Sequence, residues 1–287
     1  MSEPRLRVRR TAKLYVKGAF PRSESGRSYP VHSASGELVA HAAQASRKDV
    51  RDAVLAARGA FGGWSAATAY NRGQVLYRVA ELLDGRRDQF VAEVREAEGG
   101  SGDDAAALVD AAIDRWVHYA GWADKYAQVV GATNPVAGPY FTFSLPEPTG
   151  VVGVIAPQDS SLLGLVSVLA PVLTTGNTAV VLAAQDRPLP AVSLGEVLAT
   201  SDVPAGVVNI LTGFTAELAP WLASHRDVNA IDLTGVAAAD RAALEVQAAD
   251  NVKRVHSPRA VDWAAEPGRS RLDAFVETKT VWHPIGV

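Results

Sequence analysis

A doubly wound α/β fold, with a parallel sheet covered by helices on both faces, is predicted by three features of the chain. From Val151 to Val255, short apolar runs alternate with segments of helical periodicity. Each run is continuously apolar rather than alternating, which suits strands buried on both sides. The composition, 48% hydrophobic and 21% charged over 287 residues, supplies enough apolar surface for such a core.

The elements follow in order. Lys13 to Phe20 (KLYVKGAF) alternates apolar and polar residues ahead of the Gly/Ser-rich PRSESGRSYP, and predicts a short strand and a turn. Val50, Val54, Ala57 and Phe61 recur at helical spacing behind Ser46, a suitable N-cap, so a helix is expected from Arg47 to Phe61. A second helix is expected from Tyr70 to Val94, and a third from Asp104 to Ala127 with Leu108, Ala112, Trp116 and Tyr119 as its buried stripe. Gln128 to Leu145 holds two β-rich runs broken by Gly and Pro, the pattern of an extended hairpin. The alternation then gives strands at 151–155, 178–182, 207–211, 228–233 and 252–255, with helices at 161–173, 191–200, 215–224 and 237–249 between them. SPRAVDWAAEPGRSR reads as a Pro/Gly-rich linker, and Phe275 to Trp282 (FVETKTVW) as a last strand.

A net charge of −3 spread along the chain offers no field to gather nucleic acid or anionic lipid. With no cysteine there are no disulfides or thiolate metal sites, and the six histidines show no ligand pairing. Arg5, Arg7, Arg9 and Arg10 are read as a solvated basic terminus rather than a transit peptide. The longest apolar stretch, Leu162 to Leu173, falls short of the ~20 residues that span a bilayer. A cytoplasmic protein is expected.

KLYVKGAF with SGRSYPVHSASGE, YAGWADKY, GVVGVIAP, APVLTTGNTAVVL, PAGVVNILTG and the LTG at 233–235 occur together, in an order and at spacings that resemble the aldehyde dehydrogenase family. FVETKTVW resembles the strand that ends its full-length members, yet here it follows Val255 after only a short linker. The resemblance implies a nucleotide-binding domain from which the catalytic domain has been excised. The organisation then runs as N-terminal strand and helices (1–127), oligomerisation hairpin (128–147), Rossmann-like core (148–257), linker in place of the catalytic domain (258–271) and C-terminal oligomerisation strand (272–287).

The family attacks its aldehyde with a cysteine thiolate, and this chain has none. Where the family places an Asn that donates to the oxyanion, this chain has Asp159, an acceptor. The family's ribose-binding Lys-Pro-Ser-Glu becomes Leu182, Ala183, Ala184 and Gln185. Its pyrophosphate seat becomes Thr234, Gly235, Val236 and, at the second Gly, Asp240, whose charge opposes phosphate. The general-base Glu aligns with Pro258, which moves no proton. Ser160 and Ser161 stand at a helix start without a nearby His and are expected to be caps rather than nucleophiles. No catalytic residue and no metal ligand is therefore assigned. Ile155, Ala156, Pro157, Gly213, Thr234 and Gly235 remain as vestigial cofactor-binding positions. NAD or NADP is possible but no cofactor is expected.

In the resembling family, the hairpin and terminal strand form a flap that extends a neighbouring subunit's catalytic sheet by strand addition. This chain keeps the flap, in Gln128 to Leu145 and Phe275 to Trp282, and has no catalytic domain to receive one. The resemblance thus implies an assembly subunit for a full-length aldehyde dehydrogenase. A dinucleotide-binding sensor, or an oxidoreductase active only with a partner, are the alternatives.

Overall fold

The computed structural model describes residues 10–258 and 260–286. The chain opens with β1 (Arg10–Ala12), β2 (Ser28–His32) and β3 (Leu38–Ala43), which form a small sheet in the order β1-β3-β2. Four helices follow: α1 (Arg47–Ala66), α2 (Ala69–Asp84), α3 (Arg87–Glu98) and α4 (Gly102–Trp122). A short α5 (Tyr126–Val130) leads into β4 (Ala132–Thr133) and β5 (Tyr140–Pro148). The alternating core is β6 (Val151–Ile155), α6 (Leu163–Thr174), β7 (Thr178–Leu182), α7 (Leu189–Leu198), β8 (Val208–Leu211), α8 (Thr215–Ser224), β9 (Ala230–Asp232), α9 (Ala238–Ala249) and β10 (Arg254–His256). Helix α10 (Ser270–Asp273) and β11 (Val276–Pro284) end it.

The central sheet is parallel throughout, in the order β10-β9-β6-β7-β8. Every residue of β6, β7, β8 and β9 is buried, as continuous apolar runs require of strands sandwiched between helices. One face packs against α2, α3, α4, α6 and α7 through residues such as Leu83, Phe90, Trp116, Leu169 and Leu194. The other packs against α1, α8 and α9 through Val54, Leu222 and Leu244. Trp116 and Tyr119 are fully buried, so the aromatic stripe of α4 is core. Ser46 caps α1 as expected, in a reciprocal capping box with Asp49.

The elements depart most from expectation in four places. Lys13–Phe20 is not a strand. The chain turns back at Lys17 and Gly18, both at positive φ, with Val16 and Ala19 exchanging backbone bonds at 2.9 and 3.0 Å. Only Tyr15 bridges to the core, at Ile210. The expected 70–94 helix is two helices, because the chain breaks at Gly85 and Arg86 and Arg86 gives α3 no side-chain cap. The third helix starts earlier, at Gly102 behind a Ser101–Asp104 capping box, and ends at Trp122. The first arm of the 128–145 hairpin begins in helix, since α5 runs to Val130 and leaves only Ala132–Thr133 to pair with β5.

The second small sheet, in the order β11-β5-β4, projects as a flap. β5 and β11 pair antiparallel over nine residues, from Val276 opposite Pro148 to Pro284 opposite Tyr140. Among the described residues no helix is long and apolar enough to cross a membrane.

Candidate functional site

Two features of the structure invite a functional reading: the carboxyl-end cleft of the sheet and the flap. The cleft, about 350 Å³, opens where β6 and β9 end, the region of a doubly wound sheet where ligands sit. Pro157, Asp159, Thr234, Gly235, Arg241 and Pro258 help to line it. Gly235 is required there: a Cβ would lie 1.9 Å from the Ala156 carbonyl oxygen, and its amide donates to the Ile155 carbonyl at 3.0 Å. Five of the six cofactor-binding positions read from the sequence, Ile155, Ala156, Pro157, Thr234 and Gly235, thus meet at this one edge. Gly213, at φ 150°, stands apart beside Ala45 and Leu218, following β8, two strands from β6.

The polar groups around the cleft are largely spent on the protein itself. Arg241, in the first turn of α9, donates to the carbonyls of Val236, Thr234 and Pro258. Arg187 donates to the Asp159 carbonyl at 2.8 Å. Asp240 is exposed and lies outside the lining. At the end of β7, Ala183 and Ala184 are buried and apolar. Gln185 turns its side-chain oxygen to the Thr215 amide at 3.3 Å, and its carbonyl accepts from the Tyr29 hydroxyl at 3.0 Å. Burial, with Asp186 adding to it, pushes the Tyr29 phenol well above its ordinary range. Ser160 and Ser161 close the turn before α6: the Ser160 hydroxyl accepts from the Gly164 amide at 2.9 Å, and Ser161 donates to Glu98 through both amide and hydroxyl at 2.6 Å.

The linker lies across this edge as a strap. Trp263 and Val261 form part of the cleft wall. Arg115 of α4 holds the Trp263 and Ala265 carbonyls at 2.9 and 3.2 Å, and the Arg271 guanidinium lies 5.7 Å from the Trp263 ring centroid. Arg271 also reaches under the strap to the fully buried Asp232, at 2.6 Å, and to the Thr234 hydroxyl at 3.1 Å. Thr234 in turn donates to Asp232. His256, opposite Asp232 on β10, is held below its ordinary range by burial, against the pull of Asp232 and with Arg271 adding. Sequence reading missed Asp232, Arg241 and Arg271, and an ion pair 39 residues apart leaves no local pattern. Among the described residues no group of three or more His, Asp or Glu could hold a metal.

The flap is only partly covered: Thr142 is buried, whereas β11 is exposed along most of its length. Tyr140, Phe141, Leu145 and Trp282 are exposed, and Tyr140 meets Trp282 edge to face at 5.7 Å. Its register has a consistent parity. Pro146, Pro148 and Pro284 fall at even-numbered pairs, where a missing N–H costs the β5·β11 ladder nothing. The Asn134 amide bonds to the Thr142 carbonyl on the β4 side at 2.8 Å, which confirms that even residues of β5 point away from β11. By the same alternation Val276, Thr278, Thr280 and Trp282 turn their N–H and C=O groups to the outer edge of β11, which no strand covers among the described residues.

The sequence profile of the Aldehyde dehydrogenase family matches residues 20–258. Human retinal dehydrogenase 2 is 37% identical over 259 residues, which are 88% of this chain and 49% of the relative. The crystal structure of HpcC from Thermus thermophilus superposes with a TM-score of 0.82 at 31% identity, over 86% of this chain and 48% of that one. A Bacillus cereus aldehyde dehydrogenase in an NAD+ complex superposes with a TM-score of 0.82 at 26% identity, over 86% of this chain and 50% of that one. The chain therefore spans about half the length of the relatives it matches, and it belongs to the aldehyde dehydrogenase family.

Proposed function

We propose that this chain is a non-catalytic member of the family that docks, through its flap, on a complete aldehyde dehydrogenase subunit. The observation that carries this reading is the flap itself. It is a nine-residue pair with an open outer edge and with Tyr140, Phe141 and Trp282 exposed. Such an edge is an aggregation hazard unless another chain pairs with it. Strand addition gives it a use, with main-chain bonds for affinity and Trp282, Tyr140 and Phe141 as anchors.

The carboxyl-end cleft supports the non-catalytic half of the reading. These 287 residues contain no cysteine to act as nucleophile. The cleft lining includes Asp159, an acceptor at the position where the family resemblance places a donor to the oxyanion. The residues present also fit a dinucleotide poorly. Ala183 and Ala184 offer no polar side chain to a ribose, the guanidinium of Arg241 is turned to three backbone carbonyls, and the strap supplies Val261 and Trp263 to the wall.

Co-expression with a complete aldehyde dehydrogenase, followed by native mass spectrometry, tests the proposal. A mixed assembly is expected, and a monomer beside an unbound enzyme refutes it. A thermal scan with millimolar NAD or NADP tests the second half. Cofactor at 100 times its dissociation constant adds about 2.7 kcal/mol, and no shift is expected.

A further inference from the structure

A cavity of about 500 Å³ opens at the base of the flap, between the start of α2, α5 and the roots of β5 and β11. Its walls are mixed, with Phe61, Ala69, Ala127, Pro148 and Val276 forming the apolar part and Ser65, Thr174 and Thr175 among the polar groups. Its one cation is Arg72. The Arg72 Nη1 donates to the Ala67 carbonyl, with Ser65 more distant at 3.5 Å. Nε is sealed from solvent without an acceptor, and Nη2 has no protein acceptor among the described residues. No ion pair neutralises this guanidinium there, and burial alone holds it below its ordinary range. Arg72 also stands in the first turn of α2, a turn without an acidic residue, where the helix dipole disfavours a cation. A charge desolvated in this way is stabilised by an anion brought to it.

We propose that this cavity binds a small organic monocarboxylate, its carboxylate on the Arg72 guanidinium and its apolar body against Phe61, Ala127 and Val276. A single cation faces the space. Glu147 at its rim is held by Lys279 at 2.9 Å and repels a second negative charge, which disfavours dianions. The volume, and the apolar portion of the lining beside Arg72, exceed what an inorganic anion needs. The site is built within one chain and is complete without a partner, so it stands or falls apart from the docking reading.

Calorimetric titration of the full chain with benzoate tests the site, with benzyl alcohol as the uncharged isostere and inorganic phosphate as the anion without an apolar body. Saturable 1:1 binding of benzoate is expected, at least tenfold tighter than either control. Arg72→Gln should weaken benzoate at least tenfold. Because Arg72 also ties down the end of α1, a second variant leaves it in place: Ala127→Phe, at an exposed position, fills the cavity and should abolish binding. Absence of saturation in the wild type overturns the proposal. So does benzyl alcohol or phosphate binding as tightly as benzoate, or benzoate binding unchanged in both variants.

Discussion

Replacing Thr278 by proline should separate docking from folding. Thr278 lies opposite Pro146 at an even-numbered pair of the flap, so its N–H faces the open edge of β11 and contributes nothing to the ladder with β5. The side chain is exposed, and proline is tolerated on an edge strand when its nitrogen faces outward. The isolated chain should therefore unfold within about 1 kcal/mol of the wild type. In the complex, the substitution removes one interchain bond, worth about 0.5–1.5 kcal/mol, and strands the partner's carbonyl at about 1–3 kcal/mol. The total, about 1.5–4.5 kcal/mol, is a loss of roughly 10- to 1,600-fold in affinity. Val281→Pro is the opposite case, because Val281 pairs with Phe143 at an odd-numbered position. It should destabilise the flap in the isolated chain. Urea unfolding gives the stabilities, and surface-immobilised complete aldehyde dehydrogenase gives the affinities. If Thr278→Pro binds like the wild type, strand addition at this edge is wrong.

Two further outcomes follow from buried charges. Arg271→Ala leaves Asp232, which is fully buried, without its ion-pair partner and should cost about 3–5 kcal/mol in urea unfolding, whereas Asp232→Leu with Arg271→Met should recover most of that loss; a cost below about 1 kcal/mol would mean the strap is not anchored there. Lys253 is buried, its Nζ bonds to the Asn251 side chain, and desolvation lowers its pKa to about 8. Between about pH 8 and 10.5 the unfolded chain holds this proton while the folded one has released it, so stability from this group rises with pH and is lost as pH falls through 8. Lys253→Met should flatten that rise between about pH 8 and 10.5 and stabilise the protein at pH 7 by at most about 3 kcal/mol; identical pH profiles for the two proteins would contradict the shift.

What the sequence conveyed about the fold follows from how local each signal was. β6, β7 and α8 are found where the apolar runs and helical spacing place them, because strands buried on both faces carry their pattern within five residues. The break between α2 and α3 was hidden. Gly85 keeps right-handed helical angles (φ −58°, ψ −16°) and no proline marks the stop. The turn at Lys17 and Gly18 was overridden by the alternation around it. In the cleft, the resemblance drew attention to positions after β6 and β9, and Pro157, Asp159, Thr234, Gly235 and Pro258 do line one space. The strap was not legible, since Arg115 with Trp263 and Arg271 with Asp232 are contacts across 148 and 39 residues that only the folded chain brings together. The parity of the flap was present in its prolines but required the register to read.

Amide hydrogen exchange of the chain, alone and mixed with a complete aldehyde dehydrogenase, tests the docking claim most directly. The amides of Val276, Thr278, Thr280 and Trp282 should exchange freely in the isolated protein and become protected in the mixture, while those of Glu277, Lys279 and Val281, already paired with β5, change little. Unchanged exchange at the four outward amides, or protection confined to the carboxyl-end cleft, would contradict it.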